Sequence, residues 1–318
     1  MPEKIKAFLT SDSPALLEQI RAHAGRVEIV TPAQIEAQPD LLGQVEIAYG
    51  WLSGDQIARA TNLRWLQTGG AGVEGLLTPP VRASDLILTN ARGVGAAPIT
   101  EHMFGMLLME TRRLAQAWDR QKTHQWNGDG LGDHVGLLWG KTLGVLGVGA
   151  IGGHSAEVGK AFGMRVVGLR RGGGPHPAVE RMYTPDQRRE FLAECDVVMN
   201  TLPLTDATRG FLGRDEFAVL KAGAILINTG RGATVDTDAL LDALRSGHLG
   251  AALLDVTDPE PLPADHPLWT TENVYLTPHY SGSRPDYGDR ADAIFLDNLR
   301  RYLAGEPLVN VVDKREGY

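Results

Sequence analysis

Short apolar runs alternate with longer amphipathic stretches along the first ninety residues of the chain. The apolar runs, which predict β-strands, lie at residues 5–9, 27–30, 45–49, 63–66 and 86–88. Helical patterns fall between several of them. Strands that alternate with helices predict a parallel sheet covered on both faces, so the expected fold class is α/β.

A second series of strands follows a long predicted helix. Apolar residues at helical spacing continue from Pro98, which suits a first helical turn, towards Trp118. Further strands are predicted at residues 143–146, 165–169, 196–201, 224–228, 250–256 and 274–276. The polar, glycine-rich stretch at 127–133 is interpreted either as an arm that packs on a partner subunit or as an irregular surface loop.

Three glycines after the strand at 143–146 form the pattern G-x-G-x-x-G. Gly147 allows a tight turn, Gly149 lets the backbone approach a pyrophosphate, and Gly152 lets the following helix pack close to the strand. The first amides of that helix can bind an anion. A strand, a glycine turn, a helix and a second strand together predict a doubly wound, Rossmann-type dinucleotide site.

Two arginines close the second strand of this unit. An acidic residue at this place would bind the ribose hydroxyls of NAD, whereas Arg170 and Arg171 offer guanidinium groups that suit a 2′-phosphate. NADP(H) is therefore the preferred cofactor, with NAD(H) as the alternative. In the other interpretation, the pair is a solvated surface feature beside the loop of Gly172, Gly173 and Gly174.

Composition agrees with a soluble enzyme. The chain has 318 residues, of which 43% are hydrophobic, enough for two packed domains. Its net charge of −8 argues against a nucleic-acid partner. The single Cys195, expected in a buried strand, excludes an intramolecular disulfide and a cysteine metal cluster, and no metal site is predicted. Without a signal-like or membrane-spanning stretch, we expect a cytoplasmic protein with no membrane partner.

Three titratable or charged residues follow three successive strands. Arg231, Glu260 and His279 come after the strands at 224–228, 250–256 and 274–276. Since ligands of open α/β sheets bind outside the carboxyl ends of the strands, these groups can converge beside a nicotinamide. Arg231 is suited to bind a 2-oxo acid substrate, and His279, oriented by Glu260, is suited to act as the proton donor.

Taken singly, each residue also has a structural interpretation. Arg231 could be an ion-pair partner, and Glu260 a solvated turn residue. The other histidines are assigned to surface or hydrogen-bonded structural roles: His102, His124, His134, His154, His176, His248 and His266.

Six motifs in the same order make the chain resemble the D-isomer-specific 2-hydroxyacid dehydrogenases over nearly its whole length. They lie at residues 147–152, 202–208, 228–232, 235–240, 254–262 and 276–280. The resemblance implies that Arg231 binds substrate, that Glu260 and His279 form the acid-base pair, and that Asp255 meets the nicotinamide carboxamide. The residues implied to line the cofactor are Gly147, Gly149, Ala150, Ile151, Gly152, Arg170, Arg171, Leu202, Pro203, Thr208, Thr229 and Gly230.

The same resemblance assigns substrate contacts to the first part of the chain. Ala71 and Gly72, in the loop 70–73, are expected to offer backbone amides to the substrate carboxylate. Trp51 is a weaker candidate for the wall of the substrate pocket, with core packing as the alternative.

The family architecture implies two α/β domains. A flavodoxin-like substrate-binding domain would comprise residues 1–98 and 286–318, and a Rossmann domain at 99–285 would be inserted into it. The active site is expected in the cleft between them, and dimerisation is expected through the cofactor domain.

Two departures from the common family pattern involve three residues. Arg170 replaces the usual acidic residue and resembles the NADP-preferring glyoxylate/hydroxypyruvate reductases, whereas Tyr280 and Ser281 replace a small apolar pair. The predicted function is NADPH-dependent reduction of a small 2-oxo acid, such as glyoxylate or hydroxypyruvate, to the D-2-hydroxy acid. The alternatives are a dehydrogenase for D-lactate, phosphoglycerate or a bulkier D-2-hydroxy acid, and a dinucleotide-sensing protein similar to a corepressor.

Overall fold

The chain divides into two compact units. The computed structural model describes residues 4–22, 25–126 and 130–318, so part of the glycine-rich stretch at 127–133, and the first three residues of the amino terminus, lie outside the described residues. One unit consists of the chain up to Val94 together with Arg284–Tyr318, and the other is Gly95–Ser283.

A five-stranded sheet forms the centre of the first unit. Its strands are β1 (Ile5–Leu9), β2 (Val27–Val30), β3 (Ile47–Tyr49), β4 (Trp65–Gln67) and β5 (Ile87–Thr89). All pairs are parallel, and the order β2-β1-β3-β4-β5 is the flavodoxin-like order. The connecting helices are α1 (Pro14–Arg21), α2 (Pro32–Ala37), α3 (Gly54–Arg59) and α4 (Pro79–Ala83).

Local sequence explains where the first helices begin. The side chains of Ser13, Thr31 and Ser53 each accept a hydrogen bond from a backbone amide of the first turn of α1, α2 and α3. Proline opens α1 and α2, where its missing N–H has no intrahelical partner to lose.

The second unit opens with two helices where one was predicted. These are α5 (Ala96–Thr111) and α6 (Leu114–Lys122), and the long helix predicted from Pro98 to Trp118 is therefore wrong at its middle. Arg113 adopts φ of 55°, and its guanidinium contacts the Glu110 carboxylate at 2.6 Å and the His134 carbonyl at 3.1 Å. One local and one tertiary hydrogen bond therefore stabilise a break that the apolar spacing does not show.

A seven-stranded parallel sheet forms the centre of the second unit. Its strands are β6 (Thr142–Leu146), β7 (Arg165–Leu169), β8 (Arg181–Tyr183), β9 (Val197–Asn200), β10 (Ala224–Asn228), β11 (Leu249–Leu254) and β12 (Val274–Leu276). The strand order is β12-β11-β10-β9-β6-β7-β8. The chain adds β7 and β8 on one side of β6 and then β9 to β12 on its other side, as in doubly wound dinucleotide-binding folds. The predicted fold class is confirmed. The three-residue edge strand β8 was not predicted.

Helices cover both faces of the larger sheet. They include α7 (Ala150–Ala161), α8 (Arg188–Ala193), α9 (Arg214–Val219) and α10 (Thr237–Arg245), and two apolar clusters form the core. Cys195 is fully buried, but it lies in the turn between α8 and β9 and not in a strand, because its amide bonds to the Leu192 carbonyl. The last helix, α11 (Tyr287–Ala304), returns to the first unit and packs against α1. Within the described residues, no helix combines the length and the apolar content that a membrane span requires.

Candidate functional site

The glycine loop joins β6 to α7, and each glycine has a distinct environment. Gly147 adopts φ of +87°, which residues with a side chain rarely do. A methyl group on Gly152 would lie 2.3 Å from the Gly147 carbonyl oxygen and 2.8 Å from Cγ1 of Val145, so glycine is required for close packing. A methyl group on Gly149 would meet no atom within 4 Å. The backbone at Gly149 therefore faces open space.

The start of α7 fits the pyrophosphate of a dinucleotide. The helix has 12 residues, and its N-cap residue Gly149 has no side chain that could bond the first amides. The first amides of a helix, here those of Ala150 and Ile151, have no intrahelical acceptor, and the helix dipole favours an anion there. Together with the open space beside Gly149, this arrangement fits the phosphates of NAD(P).

Arg170 and Arg171 follow β7, as the cofactor prediction requires. The Arg170 guanidinium donates to the Pro175 carbonyl at 3.0 Å and to the Val148 carbonyl, next to the glycine loop, at 3.5 Å. Arg171 is exposed. Arg170 is thus held beside the loop by backbone oxygens, at the position where a Rossmann fold binds the adenosine ribose.

The loop after β9 packs closely on the loop after β10. A methyl group on Gly230 would lie 2.6 Å from the Leu202 carbonyl oxygen. The Thr208 hydroxyl donates to the Pro203 carbonyl at 2.6 Å and accepts the Thr205 amide at 2.8 Å, so it stabilises its own turn. Thr229 is buried, and its hydroxyl contacts Sδ of Met103 at 3.2 Å.

A buried asparagine pair positions the backbone at Arg231. The Asn200 side chain at the end of β9 bonds to the Asn228 side chain at the end of β10 and to the Thr234 hydroxyl, at 3.1 and 2.7 Å. Asn228 and Thr234 both donate to the Arg231 carbonyl, at 3.2 and 2.6 Å. The half-buried Arg231 side chain donates to the Gly230 carbonyl at 2.7 Å.

Sequence reasoning missed the asparagines and Thr234. A usable signal exists for the two asparagines, since each is a polar residue that closes an otherwise apolar strand.

Glu260 and His279 form the hydrogen-bonded pair that the sequence predicts. Nδ1 of His279 bonds to Oε1 of Glu260, and both side chains remain accessible, at 49% and 40% exposure. Because Glu260 holds Nδ1, Nε2 is the nitrogen left for proton exchange with a ligand. His279 adopts φ of 50°, a conformation that costs a residue with a side chain on the order of 1–3 kcal/mol.

Asp255 holds the turn that carries His279. Its carboxylate is buried and accepts the Thr277 hydroxyl at 2.6 Å and the amides of Tyr280 and Ser281 at 3.1 and 3.0 Å. The Asp255 carbonyl accepts the His279 amide at 2.9 Å. Residues on both sides of His279 are therefore anchored to Asp255, and this role was not predicted.

The parallel sheet places these groups together at the carboxyl ends of its strands. The glycine loop follows β6, and the loops of Arg231, Asp255 and His279 follow β10, β11 and β12. All of these strands are parallel, so their carboxyl ends face the same way. Open α/β sheets bind their ligands outside these carboxyl ends.

The remaining predicted residues belong to the first unit. Ala71 and Gly72 lie in the loop after β4, where the Ala71 carbonyl accepts the Asn90 side chain at 2.7 Å. Trp51 is 57% exposed and lies against Gly75, so core packing, the alternative for this residue, is wrong.

Comparisons with known proteins agree with this geometry. The family model for the D-isomer-specific 2-hydroxyacid dehydrogenase NAD-binding domain matches residues 104–281. A glyoxylate reductase from Aeropyrum pernix is 35% identical over 82% of this chain and 79% of its own length. Glyoxylate/hydroxypyruvate reductase B from Yersinia pestis is 33% identical over 87% of each chain.

The chain belongs to the D-isomer-specific 2-hydroxyacid dehydrogenase family. The predicted family is thus confirmed, as is the prediction of an NAD(P)-dependent oxidoreductase. A solved structure extends the likeness to the whole fold of this dehydrogenase. It is an NADPH-dependent glyoxylate/hydroxypyruvate reductase from Sinorhizobium meliloti in complex with NADP and sulfate, with a TM-score of 0.83 and 30% identity over 99% of this chain and 100% of that one.

Proposed function

We propose that this dehydrogenase reduces a small 2-oxo acid, glyoxylate to glycolate or hydroxypyruvate to D-glycerate, with NADPH as its preferred cofactor. The observation that carries the proposal is the hydrogen-bonded His279–Glu260 pair. It lies at the carboxyl ends of the strands, where Arg231 and the glycine loop also lie. Relatives named for glyoxylate and hydroxypyruvate reduction support the substrate class. When bound, the cofactor supplies the hydride.

His279 is the proposed proton donor. Reduction of the carbonyl leaves negative charge on its oxygen, and protonated His279 can neutralise that oxygen by transferring the proton from Nε2. Glu260 then has two tasks, because its contact with Nδ1 orients the ring and stabilises the charged imidazolium.

Arg231 is the proposed substrate-binding cation. A guanidinium can make two parallel hydrogen bonds to a 2-oxo acid and polarise the carbonyl carbon towards hydride attack. The hydrogen bonds from Asn228 and Thr234 to its carbonyl fix the backbone from which the side chain extends. We assign further hydrogen bonds to the substrate carboxylate to the amides of Ala71 and Gly72.

The cofactor-binding proposal rests on the two arginines after β7 and the open backbone at Gly149. The amides at the start of α7 would bind the pyrophosphate, and Arg170 and Arg171 the 2′-phosphate that distinguishes NADP from NAD. Leu202, Pro203, Thr229 and Gly230 would line the nicotinamide half, Thr208 would stabilise that loop, and Asp255 would meet the carboxamide. The S. meliloti relative, solved with NADP, supports the preference.

We also propose a homodimer formed through the second unit. Four large apolar side chains on this unit are exposed and could be covered by a second copy of the chain; they are Trp118, Trp126, Leu137 and Trp139. Size-exclusion chromatography with light scattering should give a molecular mass about twice the chain mass of 34.3 kDa. A mass of one chain across the accessible concentration range would refute the dimer.

Initial rates on a panel of 2-oxo acids, with NADPH and with NADH, test the function. We expect the highest kcat/KM for glyoxylate or hydroxypyruvate with NADPH. Preference for pyruvate, phosphohydroxypyruvate or a bulkier 2-oxo acid would replace the substrate assignment. Tight NADPH binding without turnover on any member of the panel would instead indicate a dinucleotide sensor.

A further inference from the structure

His102 lies on α5 and contacts the residues that anchor the His279 turn. Its Nε2 is 3.0 Å from the Thr277 hydroxyl and 3.8 Å from Oδ1 of Asp255. The ring also meets the Tyr280 ring edge to face, with 5.2 Å between centroids. A residue grouped with the structural histidines therefore touches three residues around the proposed proton donor.

The hydrogen-bond directions follow from the chemistry of the three groups. A carboxylate only accepts, so the Thr277 hydroxyl gives its single proton to Asp255. The same hydroxyl must then accept from His102, which places a proton on Nε2. Burial lowers the pKa of His102, an effect that the Asp255 carboxylate partly offsets, so the neutral imidazole is favoured at pH 7.

The result is a short relay from α5 to the loop after β12. It runs from His102 through Thr277 to Asp255, whose carboxylate in turn accepts the amides of Tyr280 and Ser281. His279 lies between Thr277 and Tyr280, which both bond to the Asp255 carboxylate, and it adopts a left-handed conformation that the turn alone does not favour. The relay thus holds both flanks of a residue whose ring must stay in register with Glu260.

We propose that His102 is a positioning residue for the acid-base pair: through Thr277 and Asp255 it holds the His279 turn in its reactive conformation, without contacting the substrate. This proposal rests on the proposed function, because it assigns His102 a task in the proton transfer by His279. Loss of the relay lets the His279 ring drift from Glu260, and a misplacement of about 1 Å can cost roughly a hundredfold in rate.

Kinetics of four single variants and one double variant test the relay. We expect His102→Leu and Thr277→Val to lower kcat by about tenfold or more and to move the pH profile of kcat, with the Kd for NADPH nearly unchanged. His102→Gln and Thr277→Ser keep a donor and a hydroxyl, so they should retain most of kcat. The double variant His102→Leu/Thr277→Val should lose about as much as the worse single variant, because both act through one relay.

His248→Gln is the matched control. This half-buried histidine precedes β11 and so lies at the amino ends of the strands, opposite the candidate site. Its replacement should leave kcat and the pH profile unchanged. Thermal unfolding of each variant separates loss of the fold from loss of position. With a folded protein, an unchanged kcat and pH profile in His102→Leu, or losses that multiply in the double variant, would overturn the proposal.

Histidine side-chain NMR provides a readout that needs no turnover. In the cofactor-free protein labelled with ¹⁵N-histidine, His102 should be neutral with its proton on Nε2, and His102→Leu should shift the His279 signals while His248→Gln should not. If the wild-type protein reduces no 2-oxo acid, the proposed function fails while this spectrum still tests the relay. Unshifted His279 signals in His102→Leu would contradict the relay itself.

Discussion

Alanine substitution at two glycines of the same loop should separate folding from cofactor binding. At Gly152, the added methyl group would lie 2.3 Å from a backbone oxygen, so α7 must move by about 1 Å to restore an ordinary contact. Overpacking of this kind costs about 1–3 kcal/mol. A unit of this size loses about 2–4 °C in Tm per kcal/mol, so Gly152→Ala should lower Tm by roughly 2–12 °C.

Gly149→Ala should behave in the opposite way. The new methyl group meets no atom within 4 Å, and φ of −103° is open to alanine, so the free energy of unfolding should change by less than about 0.5 kcal/mol. The methyl group would, however, occupy the space assigned to the pyrophosphate. We expect the Kd for NADPH to rise by about tenfold or more, equivalent to about 1.4 kcal/mol.

Calorimetry of the cofactor-free protein and fluorescence titration with NADPH measure the two effects. Gly288→Ala is the matched control, because its methyl group also meets no atom within 4 Å and the residue lies within α11, outside the cofactor-binding unit. It should leave the Kd unchanged and raise stability slightly. Ordinary NADPH affinity in Gly149→Ala, or unchanged stability in Gly152→Ala, would refute the assignment of the loop.

The other residues of the proposed site give four further predictions. Replacing Arg170 and Arg171 with alanine should raise KM for NADPH far more than KM for NADH, and equal effects would remove them from the 2′-phosphate site. His279→Ala should abolish most reduction while NADPH binding stays near normal; retained kcat would exclude it as the proton donor. Glu260→Gln should lower kcat and shift its pH profile, because an amide cannot stabilise the imidazolium as a carboxylate does; an unmoved profile would leave Glu260 without this role. Arg231→Lys should raise KM for the 2-oxo acid, since an ammonium lacks the two-pronged geometry, and unchanged kinetics would argue against a substrate contact.

Local pattern predicts the sheets well because every strand but one is a clear apolar run. It fails where tertiary contacts decide the structure. The helix break at Arg113 depends on partners at Glu110 and His134, and apolar spacing carries no information about them. The edge strand β8 has only three residues, and a run that short has no resolvable period.

In the candidate site, too, local pattern predicts some residues, whereas others depend on tertiary contacts. Glu260 and His279 could be predicted because their positions after successive strands show directly in the sequence, and the structure pairs them. The contact between Asn200 and Asn228 depends on β9 and β10 being neighbours, which spacing along the chain does not specify. The relay of His102 similarly joins residues more than 150 positions apart.

Chiral analysis of the product from hydroxypyruvate tests both the substrate and the stereochemistry of the proposed reaction. Purified protein, NADPH and hydroxypyruvate would be incubated to completion, and the product separated on a chiral column while NADPH oxidation is followed by absorbance. We expect one D-glycerate for each NADPH oxidised, and a far lower rate of NADPH oxidation with His279→Ala. L-glycerate, or no oxidation of NADPH that is demonstrably bound, would contradict it.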